Sequence, residues 1–434
     1  MNDKTDNIAA CPVHGETMEL HGGETRLDPL IRNNPFPFYR ALRKEQPVYY
    51  DPGLDVYLVT RYDDLMTVLR DDDTFSVEQG YQDRWGGDHL AELTEILERD
   101  GGGLIRDPMY DPPLHTRYRK LIEKAFTAHR VKTLEPRIRQ IVVDILEPLI
   151  ERGHADGRKD IGVPLTARIM CDQLGFDFDE VGAEKIEGWS NAIIAQMGRM
   201  QTREGMIENA RDICEMQNYI IRQIEARQDQ PTEDMTSDLV HASLEDGTKL
   251  NRTEQIAWVR ALLVGGGDTT TAALSNLLMI IATQPELAKQ LRDSADDDRM
   301  LTRFVEEVLR LEPPAHGLFR TARRDVELGG VKIPAGAQIC TLFASANDDD
   351  SKFPCPRDLD PNRNNLASHL TFGTGIHRCV AASLARMEVK VAAYEIIKRM
   401  DDIKRAIPVE ELTYLPTLGT QTLERLPLTF TRRS

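Results

Sequence analysis

The sequence predicts a mainly α-helical protein with a minor β region, and three observations support that prediction. Helical periodicity dominates from about residue 63 to residue 310. Short β-type segments lie on both sides of this stretch. No repeat, low-complexity linker or change of composition divides the chain. We therefore expect residues 26–434 to form a single domain, preceded by a mobile N-terminal tail of residues 1–25.

The first elements follow from local patterns. β-type residues on both sides of Asp51-Pro-Gly53 predict a hairpin around that turn. In the helical stretch, glycine and proline clusters predict three breaks, because these residues end helices. The breaks are expected at Gly101–Gly103, Asp111-Pro-Pro113 and Gln230-Pro231.

Short β segments return beyond Thr321. Val326–Leu328 and Val331–Ile333 flank Gly329-Gly330, which predicts a second hairpin. A helix is expected directly after Cys379, and a last hairpin-like stretch is expected between residues 415 and 430. The β segments are too few and too short to change the fold class.

Composition and charge limit the possible functions. An apolar fraction of 41% and a charged fraction of 29% are typical of a folded globular protein. The formal net charge of −17 argues against nucleic-acid binding, because phosphates would be repelled. The six cysteines show no CxxC pair and suit a reducing compartment. No apolar run approaches the ~20 residues that a bilayer requires, so we expect a cytoplasmic protein that does not bind a membrane. We also expect a monomer.

The most specific segment is a short loop that ends in a cysteine, Phe372-Gly-Thr-Gly-Ile-His-Arg-Cys379. Its two glycines allow positive φ and a close approach of the backbone to a bulky group. The predicted helix after Cys379 directs its N-terminal amides toward the sulfur, which is expected to lower the pKa of the thiol. Most lone cysteines are simply small buried residues, so the flanking pattern decides the interpretation.

That pattern resembles the haem-binding signature of the cytochromes P-450, Phe-Gly-x-Gly-x-His-x-Cys. Phe372, Gly373, Gly375, His377 and Cys379 all fit it. The resemblance implies that Cys379 is the thiolate ligand of a haem b iron and that Phe372, Gly373 and His377 help to bind the cofactor. Ala381 stands where family members usually carry glycine, a departure that leaves the ligand itself untouched.

A second segment, residues 261–272, is expected to form a helix with one face of small side chains. At 100° per residue that face contains Ala261, Val264, Gly265, Asp268, Thr269 and Ala272. Glycine in a helix costs ~1 kcal/mol relative to alanine, so three in a row indicate a close approach or a distortion at a site. A crossing of two helices through small residues is the alternative. The segment resembles the distal-helix motif Gly-Gly-x-Asp-Thr-Thr of the same family. This resemblance implies catalytic roles for Thr269 with dioxygen and for Asp268 in relaying protons.

Three further groups of residues match the family in order along the chain. Glu307 and Arg310, three residues apart on one helix, precede Arg363, and the family forms a buried network behind the haem from these positions. His115 and Arg119 share one helix face, and Arg320 follows Arg310 by ten residues. By resemblance these last three bind the two haem propionates, which require charged or ring N–H donors.

The resemblance covers residues 28–430 and implies the P-450 fold and a monooxygenase reaction. One oxygen atom from dioxygen enters an apolar small molecule, by hydroxylation or epoxidation. The electrons come from NAD(P)H through a flavoprotein reductase and an iron–sulfur ferredoxin. The alternatives are a peroxide-using haem-thiolate enzyme, which the Asp268–Thr269 pair disfavours, and a non-catalytic haem sensor.

Two surfaces are also expected. The substrate pocket is predicted to be lined by Ala261, Val264, Gly265, His316 and Leu318, although the His316 ring could equally be held by backbone groups in a turn. A basic patch on an otherwise acidic protein is predicted to dock the acidic ferredoxin. The patch consists of Arg117, Lys120, Lys124 and Arg378. A solvated stripe with no partner is the alternative for the first three.

Overall fold

The computed structural model describes residues 17–82, 84–198, 201–244, 247–415, 417 and 419–433. It is mainly helical, with ten short strands among these residues. The helices are α1 (Pro29–Asn33), α2 (Phe36–Glu45), α3 (Tyr62–Arg70), α4 (Val77–Gln82), α5 (Leu90–Asp100), α6 (Leu114–Glu123), α7 (Ala128–Arg152), α8 (Val163–Leu174), α9 (Phe178–Gly198), α10 (Arg203–Asp229), α11 (Met235–His241), α12 (Arg252–Thr283), α13 (Pro285–Asp293), α14 (Asp298–Leu311), α15 (Phe343–Asn347) and α16 (Ala382–Arg399). The strands are β1 (Val48–Asp51), β2 (Val56–Val59), β3 (Phe75–Ser76), β4 (His154–Asp156), β5 (Leu318–Ala322), β6 (Val326–Leu328), β7 (Val331–Ile333), β8 (Gln338–Thr341), β9 (Met400–Arg405) and β10 (Pro427–Arg432). The predicted fold class is confirmed.

The strands form three small sheets. The largest has the order β1-β2-β8-β5-β3, and it contains the predicted hairpin, in which Asp51 pairs with Val56. The second predicted hairpin is the two-stranded sheet β6-β7. The last hairpin-like stretch is confirmed in part. Tyr414 forms an antiparallel bridge with Leu423, and the Leu415 N–H donates to the Thr422 carbonyl at 2.9 Å. The end of the stretch, β10, pairs instead with β4 and β9, because its inward side chains Leu428 and Phe430 join the helical core.

The predicted N-terminal tail falls into two parts. Residues 1–16 lie outside the described residues. Residues 17–25 contact the domain: the Met18 N–H donates to the Pro37 carbonyl at 3.3 Å, and the Tyr49 hydroxyl donates to the Glu24 carbonyl at 2.7 Å. The division of the chain at residue 25 stays a prediction.

The long helix α12 forms the centre of the fold. Its N-terminus is fixed by a capping box, in which the Asn251 side chain and the Glu254 side chain each accept from the other's backbone N–H. Along its length α12 packs against α8, α9, α10 and α16, which explains why most of its residues are buried. Apolar side chains surround it, yet in the part of the chain that the structure describes, no helix is long and apolar enough to cross a membrane.

Candidate active site

The cysteine loop leads into α16, and its glycines are required by its shape. Gly373 and Gly375 have φ values of +64° and +71°, which only glycine adopts readily. A Cβ on Gly375 would also lie 2.5 Å from the Leu69 carbonyl oxygen. The Cys379 N–H donates to the Phe372 carbonyl at 2.9 Å and so closes the loop.

The Cys379 side chain is accessible to solvent. Protein atoms nevertheless surround much of it, and this burial raises the pKa of its thiol, while the Ala381 N–H and nearby arginines oppose that rise without overcoming it. The predicted lowering of this pKa is therefore wrong for the polypeptide, because the loss of hydration outweighs the amides at the start of α16. A coordinated thiol is deprotonated by the charge of the metal itself, so the raised pKa does not oppose ligation.

His377 and His115 come together beside the cysteine. Their ring centroids lie 4.2 Å apart. Nε2 of His377 and Nδ1 of His115 are buried and have no hydrogen-bond partner among the described residues. Burial, followed by the charges of its neighbours, lowers the pKa of His377 to about 3, and burial also lowers the pKa of His115. Both rings are therefore neutral near pH 7, and each has a ring nitrogen available to a further group.

The two arginines predicted at the propionates differ in their surroundings. Arg320 is buried at the centre of β5, and its Nη1 donates to the Phe319 carbonyl at 2.7 Å. Burial lowers the pKa of Arg320. The carboxylates that act on it oppose this change, but none of them forms an ion pair with it. Arg119 is half-buried and pairs with Glu123 at 2.7 Å, one helical turn away on α6. Both guanidinium groups act electrostatically on His377, which puts them on the same side of the fold as the cysteine loop.

Behind the cysteine loop, Glu307, Arg310 and Arg363 form one buried network. The two oxygens of Glu307 accept from Nε of Arg310 and Nε of Arg363, each at 2.7 Å. The Arg310 guanidinium also donates to the Asn347 carbonyl at 2.8 Å, and Arg363 donates to the Cys355 carbonyl at 2.7 Å. Two cations and one anion are thus neutralised by carbonyl dipoles as well as by each other.

The middle of α12 differs from the predicted face in one respect. Gly265 is exposed although it lies in the central helix, and Ala261, Val264 and Thr269 beside it are partly accessible. The Thr269 hydroxyl donates to the Gly265 carbonyl at 2.7 Å. Asp268 does not share this open face. It is buried, because its side of the helix faces α9 and the segment before α8.

Asp268 lies in a polar pocket that the sequence did not indicate. Burial raises the pKa of its carboxyl, and the Arg158 guanidinium, which pairs with Glu187, opposes the rise. A void of about 20 Å³ lies between these residues and Ser190, whose buried hydroxyl has no partner among the described residues. Such a void is large enough for one water molecule. Arg158 and Glu187 are 110 and 81 residues before Asp268, and no sequence pattern links them to it.

The structure differs from both expectations for His316. The residue is almost fully buried, and its ring packs against Phe36 and Tyr39 with centroids 5.9 and 6.2 Å away. Neither ring nitrogen has a hydrogen-bond partner within the described ranges. His316 therefore lines no accessible pocket and is not held by backbone groups, because the turn presents its ring to the aromatic side chains of α2. Leu318 is half-buried at the start of β5.

The four residues of the basic patch are not equally exposed. Lys120, Lys124 and Arg378 are exposed, whereas Arg117 is half-buried and its guanidinium lies 6.0 Å from the centre of the Tyr118 ring. The three exposed cations are therefore available to a partner, and Arg117 is less accessible than they are.

The donor set fits a haem. Across the described ranges, no three His, Cys, Asp or Glu side chains are grouped so that they could hold a metal ion, so these ranges supply no complete set of metal ligands by themselves. A porphyrin would bring ligands of its own, and Cys379 would supply a further one to its iron. The unpartnered nitrogen of His115 and the buried guanidinium of Arg320 suit its carboxylates.

Comparisons with known proteins agree with this fit. The sequence profile of the family described as cytochrome P-450 matches residues 195–401. Cytochrome P-450 130 of Mycobacterium tuberculosis is 35% identical over 383 residues, which are 86% of this chain and 90% of that protein. The cytochrome P-450 monooxygenase PikC of Streptomyces venezuelae is 31% identical over 405 residues, 92% of both chains. The solved structure of cytochrome P-450 CREJ in complex with (4-ethylphenyl) dihydrogen phosphate is 29% identical, with a TM-score of 0.84 over 92% of this chain and 98% of that chain. The chain belongs to the cytochrome P-450 family and is a cytochrome P-450 monooxygenase.

Proposed function

We propose that this monooxygenase binds haem b through Cys379 and inserts one atom of dioxygen into an apolar small molecule, with electrons supplied by a ferredoxin. The observation that carries the proposal is the accessible Cys379 sulfur beside buried nitrogen donors that have no partner among the described residues. When bound, the haem supplies the activation of dioxygen, with two electrons and two protons consumed and the second oxygen atom released as water.

The residues around Cys379 would hold the cofactor. His115, Arg119 and Arg320 would donate to the two propionates, and the neutral His377 ring would pack beside His115. For Arg119 this requires a change of partner, because its guanidinium pairs with Glu123. Phe372 and Gly373 would shape the loop, and the network of Glu307, Arg310 and Arg363 would hold the segments behind it.

Thr269 and Asp268 have distinct roles in the proposed reaction. The Thr269 hydroxyl is on the accessible face and donates to Gly265, so its oxygen can still accept a hydrogen bond there. The Asp268 carboxyl, with its raised pKa, holds a proton more readily than an ordinary aspartate. A water in the void beside Ser190 would connect it to Arg158 and Glu187, the last of which is partly exposed.

The substrate side of the site is apolar. Ala261, Val264 and Gly265 form the open part of α12, and we assign Leu318 to the same pocket because it begins β5, two residues before Arg320. These side chains offer no charge and no hydrogen-bond donor, so they favour a substrate that is bound through burial of apolar surface. His316 is left out of this pocket because its ring lies among the aromatic residues of α2.

The electrons would come from NAD(P)H through a flavoprotein reductase and an acidic iron–sulfur ferredoxin. The exposed cations Lys120, Lys124 and Arg378 support docking of an acidic partner on a protein whose net charge is −17. Arg378 is next to Cys379, so a partner docked there would be close to the proposed cofactor.

The experiment that tests this proposal is the spectrum of the reduced carbon monoxide complex. The wild type should show the Soret position of a thiolate-bound haem, and Cys379→His should show the imidazole position and no oxygenation. An unchanged thiolate spectrum in the variant would overturn the assignment. Redox titration with measured dioxygen uptake and product analysis separates a monooxygenase from a peroxide-using enzyme and from a sensor.

A further inference from the structure

Phe372, the first residue of the cysteine loop, lies between two side chains that a single carboxylate holds. The Arg386 guanidinium lies over the Phe372 ring, 4.2 Å from its centroid. The His369 ring lies 6.1 Å away, centroid to centroid. The Glu306 carboxylate accepts from Nε2 of His369 at 2.8 Å and from Nη2 of Arg386 at 3.0 Å. We call Glu306, His369 and Arg386 the Glu306 cluster.

The Glu306 cluster is part of the protein interior and not a chance surface pair. The Glu306 side chain is 14% exposed, and a second bond from Nε of Arg386 makes the contact bidentate. Burial acts to raise the pKa of Glu306, but the bonds from His369 and Arg386 outweigh it and lower the pKa to about 2. His369 is held in turn by the Thr371 hydroxyl at 2.9 Å.

Two physical links connect this cluster to Cys379. The Phe372 carbonyl accepts the Cys379 N–H, so a displaced Phe372 would displace the amide next to the sulfur. The second link is electrostatic. The Arg386 guanidinium lies 4.2 Å from the ring centre of Phe372, the residue whose carbonyl accepts the Cys379 N–H, so its charge would act on a thiolate bound there.

We propose that the Glu306 cluster positions Phe372, and with it the cysteine loop, and that Arg386 raises the reduction potential of the haem that Cys379 would hold. This inference rests on the proposed function, since it takes Cys379 as the ligand. A cation beside a thiolate withdraws electron density from it, so that less density reaches the iron and the iron is more easily reduced. Glu306, His369 and Arg386 are positioning residues, because they act through Phe372 and Cys379.

The experiment compares three variants with one control in purified holoenzyme. Arg386→Gln removes both the positive charge and the planar guanidinium that lies over the Phe372 ring. Arg386→Lys keeps the charge and loses the planar, bidentate contact. Glu306→Gln keeps Arg386 but weakens the hydrogen bonds that hold its guanidinium. The control is Lys390→Gln, which removes a cation one helical turn further along α16, from a pair with Asp298 at 2.7 Å.

Two quantities are measured: the midpoint potential, and the rate at which the reduced carbon monoxide complex loses its thiolate band. We expect Arg386→Gln to shift the potential to more negative values and to lose the band faster than the wild type. Arg386→Lys should keep the potential but lose the band faster. Glu306→Gln should also lose the band faster, and its potential should shift to more positive values because an anion beside Arg386 is removed. Lys390→Gln should change neither quantity.

The outcomes separate this inference from the proposed function. A wild-type potential and a wild-type rate in both Arg386→Gln and Glu306→Gln would overturn the inference. An equal shift of potential in Lys390→Gln would also overturn it, because the effect would then be a general one of net charge. A wild type without a thiolate band would instead overturn the assignment of Cys379. If Arg386→Gln fails to fold, Arg386→Lys and Glu306→Gln still decide the positioning role.

Discussion

The cysteine loop and the middle of α12 pack close to the same apolar cluster, through Val380 and Val264, but they are held in opposite ways. Phe372 is flanked by two side chains that Glu306 holds, and the segments behind the loop are joined by the Glu307 network. On α12, by contrast, the side chain of Thr269 has one hydrogen bond, to its own helix.

The difference suits the role that the proposed function gives to each region. A metal ligand has to stay at one distance from the iron, so a loop with two glycines needs many contacts to keep a single conformation. Residues that meet dioxygen and substrate need free hydrogen-bonding capacity, which a fully satisfied side chain does not have. The fold therefore combines a rigid cysteine side with a sparsely bonded α12 side.

The largest expected effect is on the rigid side. Glu307→Ala removes the only anion between Arg310 and Arg363 in their network and leaves two buried guanidinium groups. We expect the free energy of unfolding to fall by about 3–5 kcal/mol, the usual cost of breaking a buried pair. Urea denaturation of the variant measures it.

The control for Glu307→Ala is Asp293→Ala, which breaks an exposed pair with Lys289 on α13. Its cost should stay below about 1 kcal/mol. Equal losses in the two variants would show that the buried network is no stronger than a surface pair.

The next effect concerns the glycines of the loop. Gly375→Ala would combine a positive φ with a Cβ 2.5 Å from the Leu69 carbonyl oxygen. We expect a loss of about 1–3 kcal/mol of unfolding free energy and a smaller fraction of thiolate-bound haem. Gly373→Ala, at φ +64° with no atom within 4 Å of its Cβ, should cost less. A larger loss of unfolding free energy for Gly373→Ala than for Gly375→Ala would mean that the backbone at Leu69 shifts easily to make room for the added Cβ.

Outside both regions, His316 provides a measure of how acid affects the fold itself. Its pKa is far below 6.5 because the ring is buried, so the folded protein binds no proton there when the unfolded chain does. Stability should therefore fall as pH decreases below about 6.5, by up to ~1.4 kcal/mol per pH unit for this group. His316→Phe should reduce that slope between pH 6.5 and 5 in denaturation curves. An identical slope would show that the ring takes up a proton in the folded state.

On the sparsely bonded side, we expect substitutions to change the free energy of unfolding little. The coupling of NAD(P)H oxidation to product formation should change much more. Thr269→Ala loses one hydrogen bond, worth about 0.5–1.5 kcal/mol. We expect it to keep substrate binding and NAD(P)H oxidation while diverting electrons to peroxide or water. Asp268→Asn should instead slow turnover, because the carboxyl can no longer pass on a proton. Thr270→Ala, at the buried neighbour, is the control. Wild-type coupling of product to NAD(P)H in both site variants would remove these residues from the reaction.

The parts of the site that could be predicted are those that depend on local sequence. The glycines of the cysteine loop and the hairpin at Asp51 follow from backbone requirements of neighbouring residues. The environment of Asp268 could not be predicted in the same way, since Arg158 reaches it from a distant segment. The His316 ring is likewise buried by residues of α2, about 280 positions earlier in the chain. A periodic pattern says which residues share a helix face, but the neighbours that cover each face come from elsewhere.

The smallest expected effect, with no change in stability, concerns the basic patch at the edge of the rigid side. Lys120→Glu with Lys124→Glu reverses two exposed charges. Because rim charges act mainly on the association rate and are screened over ~8–10 Å at physiological salt, reduction by a cognate ferredoxin should slow at low salt and depend less on salt. Substrate affinity should not change, since the pocket on α12 is left intact. The control is Lys44→Glu with Lys332→Glu, an equal charge change at exposed positions on α2 and β7. If both pairs slow association equally, net charge alone governs the encounter, and the docking site is not on α6.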